Sequence, residues 1–176
     1  DLAPVDLDAR EQAELVLARL SDAEKVALVH GSATMEVAAN PTKGIPEPLA
    51  FSDGPNTVRA EMVREDFGYR YAADDPRDAA TVFPALSALA ATWDVGLARR
   101  FGEALGEEAR ARGKDVMLGP GVNLARTPLC GRNYEYLGGE DPCLAARLAV
   151  PVIQGIQSRD VAACVKHFAV NSQELN

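Results

Sequence analysis

Residues 161–169 read VAACVKHFA. The first five are apolar or small, and then Lys166 and His167 stand side by side. Parallel strands covered on both faces read as continuous apolar runs, so VAACV reads as a buried strand. A charged pair at the exit of such a run is costly unless something uses it. In barrels and open α/β sheets, ligands gather at the carboxyl ends of strands. The segment therefore reads as a strand that delivers two site residues at its C-terminal end.

The preceding stretch has the punctuation of a helix. Asp141 is an N-cap residue with Pro142 behind it in the first turn. Leu144, Leu148, Val152 and Ile156 recur at i, i+4, with Pro151 inside the run and Gly155 on a different face. Before that lies a long loop, GPGVNLARTPLCGRNYEYLGGED (119–141), which carries Arg126, Arg132, Tyr134, Glu135 and Tyr136. Loops of this composition suit polar ligands, and Arg–Glu pairing within the loop is the structural alternative. DVML (115–118) reads as a strand that feeds this loop. The helix before it opens on Asp94, shows Leu97, Phe101, Ala104, Leu105 and Ala109 as its apolar stripe, and closes at Gly113. PALSALAAT, which Pro84 opens, reads as a small-residue strand near 86–91.

Residues 60–80 are rich in Asp and Arg and read as a long surface excursion. Ahead of them, Leu49 to Ser52 forms a short strand that delivers Asp53 into a turn through Gly54 and Pro55. Asp53 is either a turn-capping carboxylate or a second site residue at a strand end. Residues 32–48, with three prolines and Gly44, read as loop. At the start, residues 8–20 read as a helix, and Ser21 with Glu24 forms a capping box for a second helix that runs to about His30, with Gly31 as its C′ residue. His30 reads as a last-turn histidine that meets the helix dipole.

The 176 residues suffice for one ordinary domain with a sizeable core. A net charge of −8 argues against a general nucleic-acid binder. Cys130, Cys143 and Cys164 form no CxxC pair and only two histidines exist, so no zinc site and no other cofactor is expected. No stretch approaches the roughly 20 apolar residues of a membrane helix, and no membrane partner is expected. The N-terminal DLAPVDLDAR lacks the basic and apolar regions of a signal peptide. It equally suits the start of a trimmed secreted protein, and a cytoplasmic location is only slightly favoured.

Strands that alternate with helices indicate an α/β fold with a parallel sheet. No GxGxxG, Walker loop or GxSxG elbow is present. A (β/α)8 barrel takes about 250 residues, and about four strands are visible here. The fold class is therefore α/β, an incomplete first half or so of a (β/α)8 TIM-type barrel.

The ordered motifs SDGPNTVR (52–59), ALAATWD (88–94), LGPGVNLARTP (118–128), GRNYEY (131–136), EDP (140–142) and KHFAVNSQE (166–174) together resemble glycoside hydrolase family 3. The resemblance implies that residues 1–176 are the N-terminal part of that family's barrel, in a β-glucosidase-type member. It implies a retaining, exo-acting hydrolase that removes terminal non-reducing β-D-glucosyl residues. By motif match, Asp53 would accept hydrogen bonds from the sugar's outer hydroxyls, and Arg132, Lys166 and His167 would supply other pocket contacts. Arg59, at the matching Arg of the DGPxxVR motif, would join them. Paired sugar hydroxyls suit charged or bidentate partners, whose hydrogen bonds are stronger than neutral ones.

The same resemblance implies that the catalytic pair lies elsewhere. The family's nucleophile is an Asp in a later strand, within an SDW-like motif, and the acid/base comes from a following α/β domain. No catalytic residue is assigned here, and Glu135 and Glu174 read as supporting residues. The implied partners are a β-glucoside or oligosaccharide, the remainder of the same enzyme, and a second copy of it. Two departures stand out. The chain reads LGGEDP (137–142) where many relatives run into Ser-Glu-Asp-Pro, and Asn56 and Thr57 follow DGP where relatives more often have Gly at the second position. Two other readings are a β-N-acetylglucosaminidase of the same family and a non-catalytic carbohydrate-binding module. The first would continue KHF with Pro-Gly-His-Gly, where this chain has Ala169, Val170, Asn171 and Ser172.

Overall fold

The computed structural model describes residues 8–31, 35–59, 62–65, 68–71 and 80–174. They fall into two compact units, one up to Leu49 and the other from Ala50 onward. The first holds helices α1 (Ala9–Arg19) and α2 (Asp22–Leu28) and the short strand β1 (Glu36–Val37). Both helices start at complete capping boxes. Asp8 pairs with Glu11, and Ser21 with the expected Glu24, so each N-terminus satisfies its free amides locally. Glu24 also accepts a hydrogen bond from Asn40 (3.3 Å), and Lys43 donates to the Arg19 carbonyl (3.0 Å). α2 ends before His30, whose exposed ring sits 3.1 Å from the Gly31 carbonyl.

The second unit is built around three parallel strands: β2 (Leu49–Ser52), β5 (Val116–Met117) and β6 (Ala162–Ala163). Between β2 and β5 in the chain come the antiparallel hairpin β3 (Met62–Glu65) and β4 (Gly68–Tyr71), then helices α3 (Leu86–Ala90) and α4 (Val95–Ala111). Helix α5 (Pro142–Gln157) connects β5 to β6. Phe51 pairs with Val116 and Ser52 with Met117, and the same two β5 residues pair with Ala162 and Ala163. The spatial order β2-β5-β6 follows chain order without reversal. A doubly wound sheet has a switch point where that order reverses. Sequential parallel neighbours joined by helices are the pattern of a barrel, and the expected α/β, barrel-type architecture is what forms.

Two local expectations differ. The stretch near 86–91 is helix, not strand. Its Ala-rich sequence has high intrinsic helix propensity, and Leu86, Leu89 and Ala90, at helical spacing, are all buried. The strand VAACV is not covered on both faces. Val161 is buried, whereas Ala162, Cys164 and Val165 are exposed. One face packs on α5, and an all-apolar run carries no signal of which face that is. Residues 60–80 contain the β3–β4 hairpin, and residues 60–61, 66–67 and 72–79 of that stretch lie outside the described residues.

The core sits where α4 and α5 pack on each other and on the sheet. Leu86, Leu105, Met117, Leu148, Val152 and Ile156 are fully enclosed. Each such side chain contributes about 1.5–3 kcal/mol by leaving water. The helices approach closely because glycines face each other. A Cβ on Gly106 would lie 2.8 Å from the Ile156 carbonyl oxygen, one on Gly155 would lie 2.7 Å from the Glu103 amide, and one on Gly102 would meet the Val152 carbonyl. Gly155 therefore belongs to the buried face. Pro151 lies inside α5, which runs unbroken from Pro142 to Gln157. An apolar cleft of about 430 Å³ is lined by residues of α3, α4 and the segment before them, with Phe83, Pro84, Leu89, Leu97 and Phe101 among them. None of the five residues expected in the site lines it.

Candidate functional site

The carboxyl ends of the three parallel strands bring the polar residues together. β2 ends at Ser52, which puts Asp53 at the strand exit. Gly54 follows at φ 103°, a conformation that favours glycine, and its amide donates to Asp53 Oδ1 at 2.8 Å. The turn is tied back by Asn56, which donates to the Phe83 carbonyl (3.2 Å), and by Thr57, which donates to that of Thr81 (2.9 Å). These are the residues at the DGP departure, and here they anchor the turn. The Arg59 amide donates to Ser52 Oγ (3.1 Å).

Beyond β6 the chain runs on beside residues 120–122. The Lys166 amide donates to the Pro120 carbonyl (3.1 Å), and the Val122 amide to that of Lys166 (2.6 Å). Lys166 is thereby aimed at Asp53, with Nζ 2.6 Å from Oδ1. Arg59 Nη1 lies 3.8 Å from the other oxygen, Oδ2. Burial pushes the Asp53 carboxyl up, but the Lys166 and Gly54 hydrogen bonds and the two nearby cations outweigh it and hold it below its ordinary value.

The second group gathers on His167. Arg132 Nη2 lies 3.2 Å from His167 Nε2, and Tyr136 Oη lies 3.2 Å from Nδ1. The Tyr136 and His167 rings meet edge to face at 87°. Arg132 is held by Glu135 through Nε and by Glu174 Oε1 at 2.8 Å through Nη1. The Glu135 hydrogen bond, above all, raises the guanidinium further above its already high range. Glu135 is buried and Glu174 exposed. Burial, then the Arg132 and Lys166 charges, push the His167 imidazolium down, so the ring is neutral near pH 7.

Asn171 closes the cluster, donating to Tyr136 Oη (2.8 Å) and to Glu174 Oε1 (2.9 Å). Its own carbonyl accepts from buried Asn123 (2.6 Å). The preceding Val170 has φ 62°, a sparsely populated region for a β-branched residue, and the chain turns there. The Lys166–His167 and Phe168–Ala169 peptides are cis. The LGGEDP stretch also has a structural role. Gly138, at φ 97°, lies against Ala145 of α5, and its carbonyl accepts from the Asp141 amide at 3.1 Å.

Of the five residues expected in the site, Lys166 and Arg59 meet at Asp53, while Arg132 meets His167. The two groups adjoin because Lys166 and His167 are neighbours in sequence. Tyr136 was named only as part of the polar loop, and Asn171 and Asn123 were not singled out. Tyr136 lies within GRNYEY and Asn171 within KHFAVNSQE, so proximity to charged motif residues was the available signal. Among the described residues, no group of three or more His, Cys, Asp or Glu is placed to hold a metal ion, and no helix is long and apolar enough to cross a membrane.

The arrangement sets a carboxylate with an ammonium beside a guanidinium with a neutral imidazole, groups that suit a ligand rich in hydroxyls. The chain is similar to proteins of that kind. Beta-glucosidase BoGH3A of Bacteroides ovatus is 52% identical over 98% of this chain and 23% of its own length. Beta-glucosidase B of Emericella nidulans is 44% identical over 93% of the chain and 18% of its own length. The solved structure of beta-glucosidase 3B from Thermotoga neapolitana, in complex with glucose, superposes with a TM-score of 0.82 at 37% identity, covering 94% of this chain and 24% of that one. The chain thus spans between 18% and 24% of the length of these relatives. Residues 73–174, which hold α3, α4, α5 and most of the polar cluster, match the model of the glycosyl hydrolase family 3 N-terminal domain, and the chain belongs to that family.

Proposed function

We propose that this chain is the sugar-holding part of a β-glucosidase-type glycosyl hydrolase that removes terminal non-reducing β-D-glucosyl residues with retention. The observation that carries this reading is the joined set Asp53–Lys166 and Arg132–His167 at the strand ends. Asp53 Oδ1 already accepts from Gly54 and Lys166, whereas among the described residues Oδ2 faces only the looser Arg59 contact. Oδ2 is therefore the oxygen open to a sugar hydroxyl. Lys166 and Arg132 donate to neighbouring hydroxyls, and His167 offers its ring edge.

A retaining glycosidase needs two carboxylates about 5–5.5 Å apart. Asp53 is engaged by cations, and Glu135 and Glu174 are both bound to Arg132. Those cation contacts suit residues that hold a ligand or support its holders, and the motif resemblance gives none of the three a catalytic role. The reading therefore places both catalytic carboxylates outside these 176 residues, with the present residues holding the glycone. The names of the relatives and the resemblance of the motifs support β-glucosides as the substrate class.

The test is Lys166→Met in the natural protein, with turnover of an aryl β-glucoside. One charge-assisted hydrogen bond lost in the transition state lowers kcat/KM roughly ten- to hundredfold. Unchanged kcat/KM would overturn the reading.

A further inference from the structure

The hydrogen-bond chain through His167 has a direction that its end members dictate. At one end, Arg132 Nη2 is a donor without acceptor capacity. Its neighbour His167 Nε2, at 3.2 Å, must therefore carry a lone pair. A neutral imidazole has one N–H and one lone pair, which puts the proton on Nδ1. At the other end, the Glu174 carboxylate accepts from Asn171 at 2.9 Å, which fixes the Asn171 amide with its NH₂ inward. That NH₂ has two hydrogens: one meets Glu174 and the other meets Tyr136 Oη at 2.8 Å. Tyr136 Oη therefore accepts from Asn171 and has its second lone pair for His167 Nδ1–H at 3.2 Å. In this arrangement each of these contacts sets a donor against an acceptor. The opposite tautomer would set an N–H of His167 against an N–H of Arg132.

We propose that Arg132 and Tyr136 together hold His167 as its Nδ1–H tautomer: Arg132 excludes a proton on Nε2, and Tyr136, a positioning residue oriented by Asn171, accepts the one on Nδ1. His167 then enters the pocket as an acceptor. A hydroxyl bound there takes the place of Arg132 at Nε2, donating its proton to that lone pair and accepting from Arg132 or Lys166. The pocket thereby selects a hydroxyl that bridges a lone pair and a cation, and it discriminates against a group that can only accept. Tyr136 is enclosed, with 1% of its surface exposed, so it acts through His167 and not by touching the ligand. The tautomer stands on the hydrogen-bond chain alone, whereas its kinetic consequence rests on the reading proposed above.

The experiment labels histidine with ¹⁵N in the intact protein, assigns the His167 signals by their loss in His167→Gln, and compares wild type with Tyr136→Phe. The expected wild-type spectrum shows a protonated Nδ1 and an unprotonated Nε2. In Tyr136→Phe the acceptor for Nδ1–H is gone, the tautomer ratio shifts toward Nε2–H against the remaining opposition of Arg132, and kcat/KM on an aryl β-glucoside falls roughly three- to tenfold, the worth of one neutral hydrogen bond. A wild-type ring protonated on Nε2 overturns the inference, and that spectrum needs no variant to fold. A tautomer ratio unmoved in a folded Tyr136→Phe also overturns it. The expected spectra in a protein that does not cleave the glucoside support the inference and count against the functional reading instead.

Discussion

Lys166 Nζ lies 2.6 Å from Oδ1 of Asp53, a residue 113 positions earlier in the chain. The pair joins the exits of β6 and β2, which never touch, because β5 lies between them. Side-chain exposure of 14% for Lys166 and 28% for Asp53 leaves the pair partly desolvated, where attraction between charges is stronger than at the surface. Each partner offsets the burial cost of the other, and both remain accessible from the open end of the strands.

Acid should act through Asp53. Its carboxyl is held below the ordinary value in the folded protein, so the unfolded chain takes up its proton first as pH falls. The contribution is fully present above the unfolded value of about 3.9 and is lost as pH falls through the lower folded value. Asp53→Asn removes that part of the acid-side slope of stability. Denaturant midpoints followed from pH 7 downward would show this, and an identical slope in the variant would refute it.

His167 should titrate low. Burial, then Arg132 and Lys166, act against its charged form, and Glu135 and Glu174 only partly oppose them. The ring therefore titrates below the ordinary value of about 6.5. Unfolded chains bind the proton more readily in the window beneath that value, so stability rises with pH through it. An NMR titration of the ring would check the midpoint, and a midpoint above 6.5 would contradict the geometry.

Arg132→Lys should not be conservative. The guanidinium serves Glu135, Glu174 and His167 at once through Nε, Nη1 and Nη2. An ammonium cannot match that planar fork. The expected loss in kcat/KM on an aryl β-glucoside is roughly ten- to hundredfold. The variant also leaves buried Glu135 poorly paired, and chemical denaturation should show lower stability.

Gly102→Ala should loosen the packing of α4 on α5. Its new methyl would meet the Val152 carbonyl, and overpacking of this kind costs about 1–3 kcal/mol. Gly131→Ala is the control. A Cβ there meets nothing within 4 Å, and its effect should stay within about 0.5 kcal/mol. Equal melting temperatures for the two variants would mean that the helices can move apart freely.

Much of the local structure was legible because its causes are local. The capping box of Ser21 and Glu24, the N-caps Asp94 and Asp141 and the strand that ends at Ser52 all form where the residues indicate. PALSALAAT was not legible as helix, because a short run of Leu, Ala and Ser satisfies either period until its neighbours choose. VAACV did not reveal its exposed face for the same reason: every residue in it tolerates burial.

The sequence by itself determined the alternation of strands and helices, the polar residues at the strand ends and the motifs that mark the family, since each depends on residues a few positions apart. Only the tertiary structure decided who partners whom. Asp53 meets Lys166 because β2, β5 and β6 align in one parallel register. Arg132 and Tyr136 grip the two nitrogens of His167 because the 119–141 loop folds back over the end of β6. Those contacts span 31 to 113 residues. At that range proximity comes from strand pairing and close helix packing, and no local spacing encodes it.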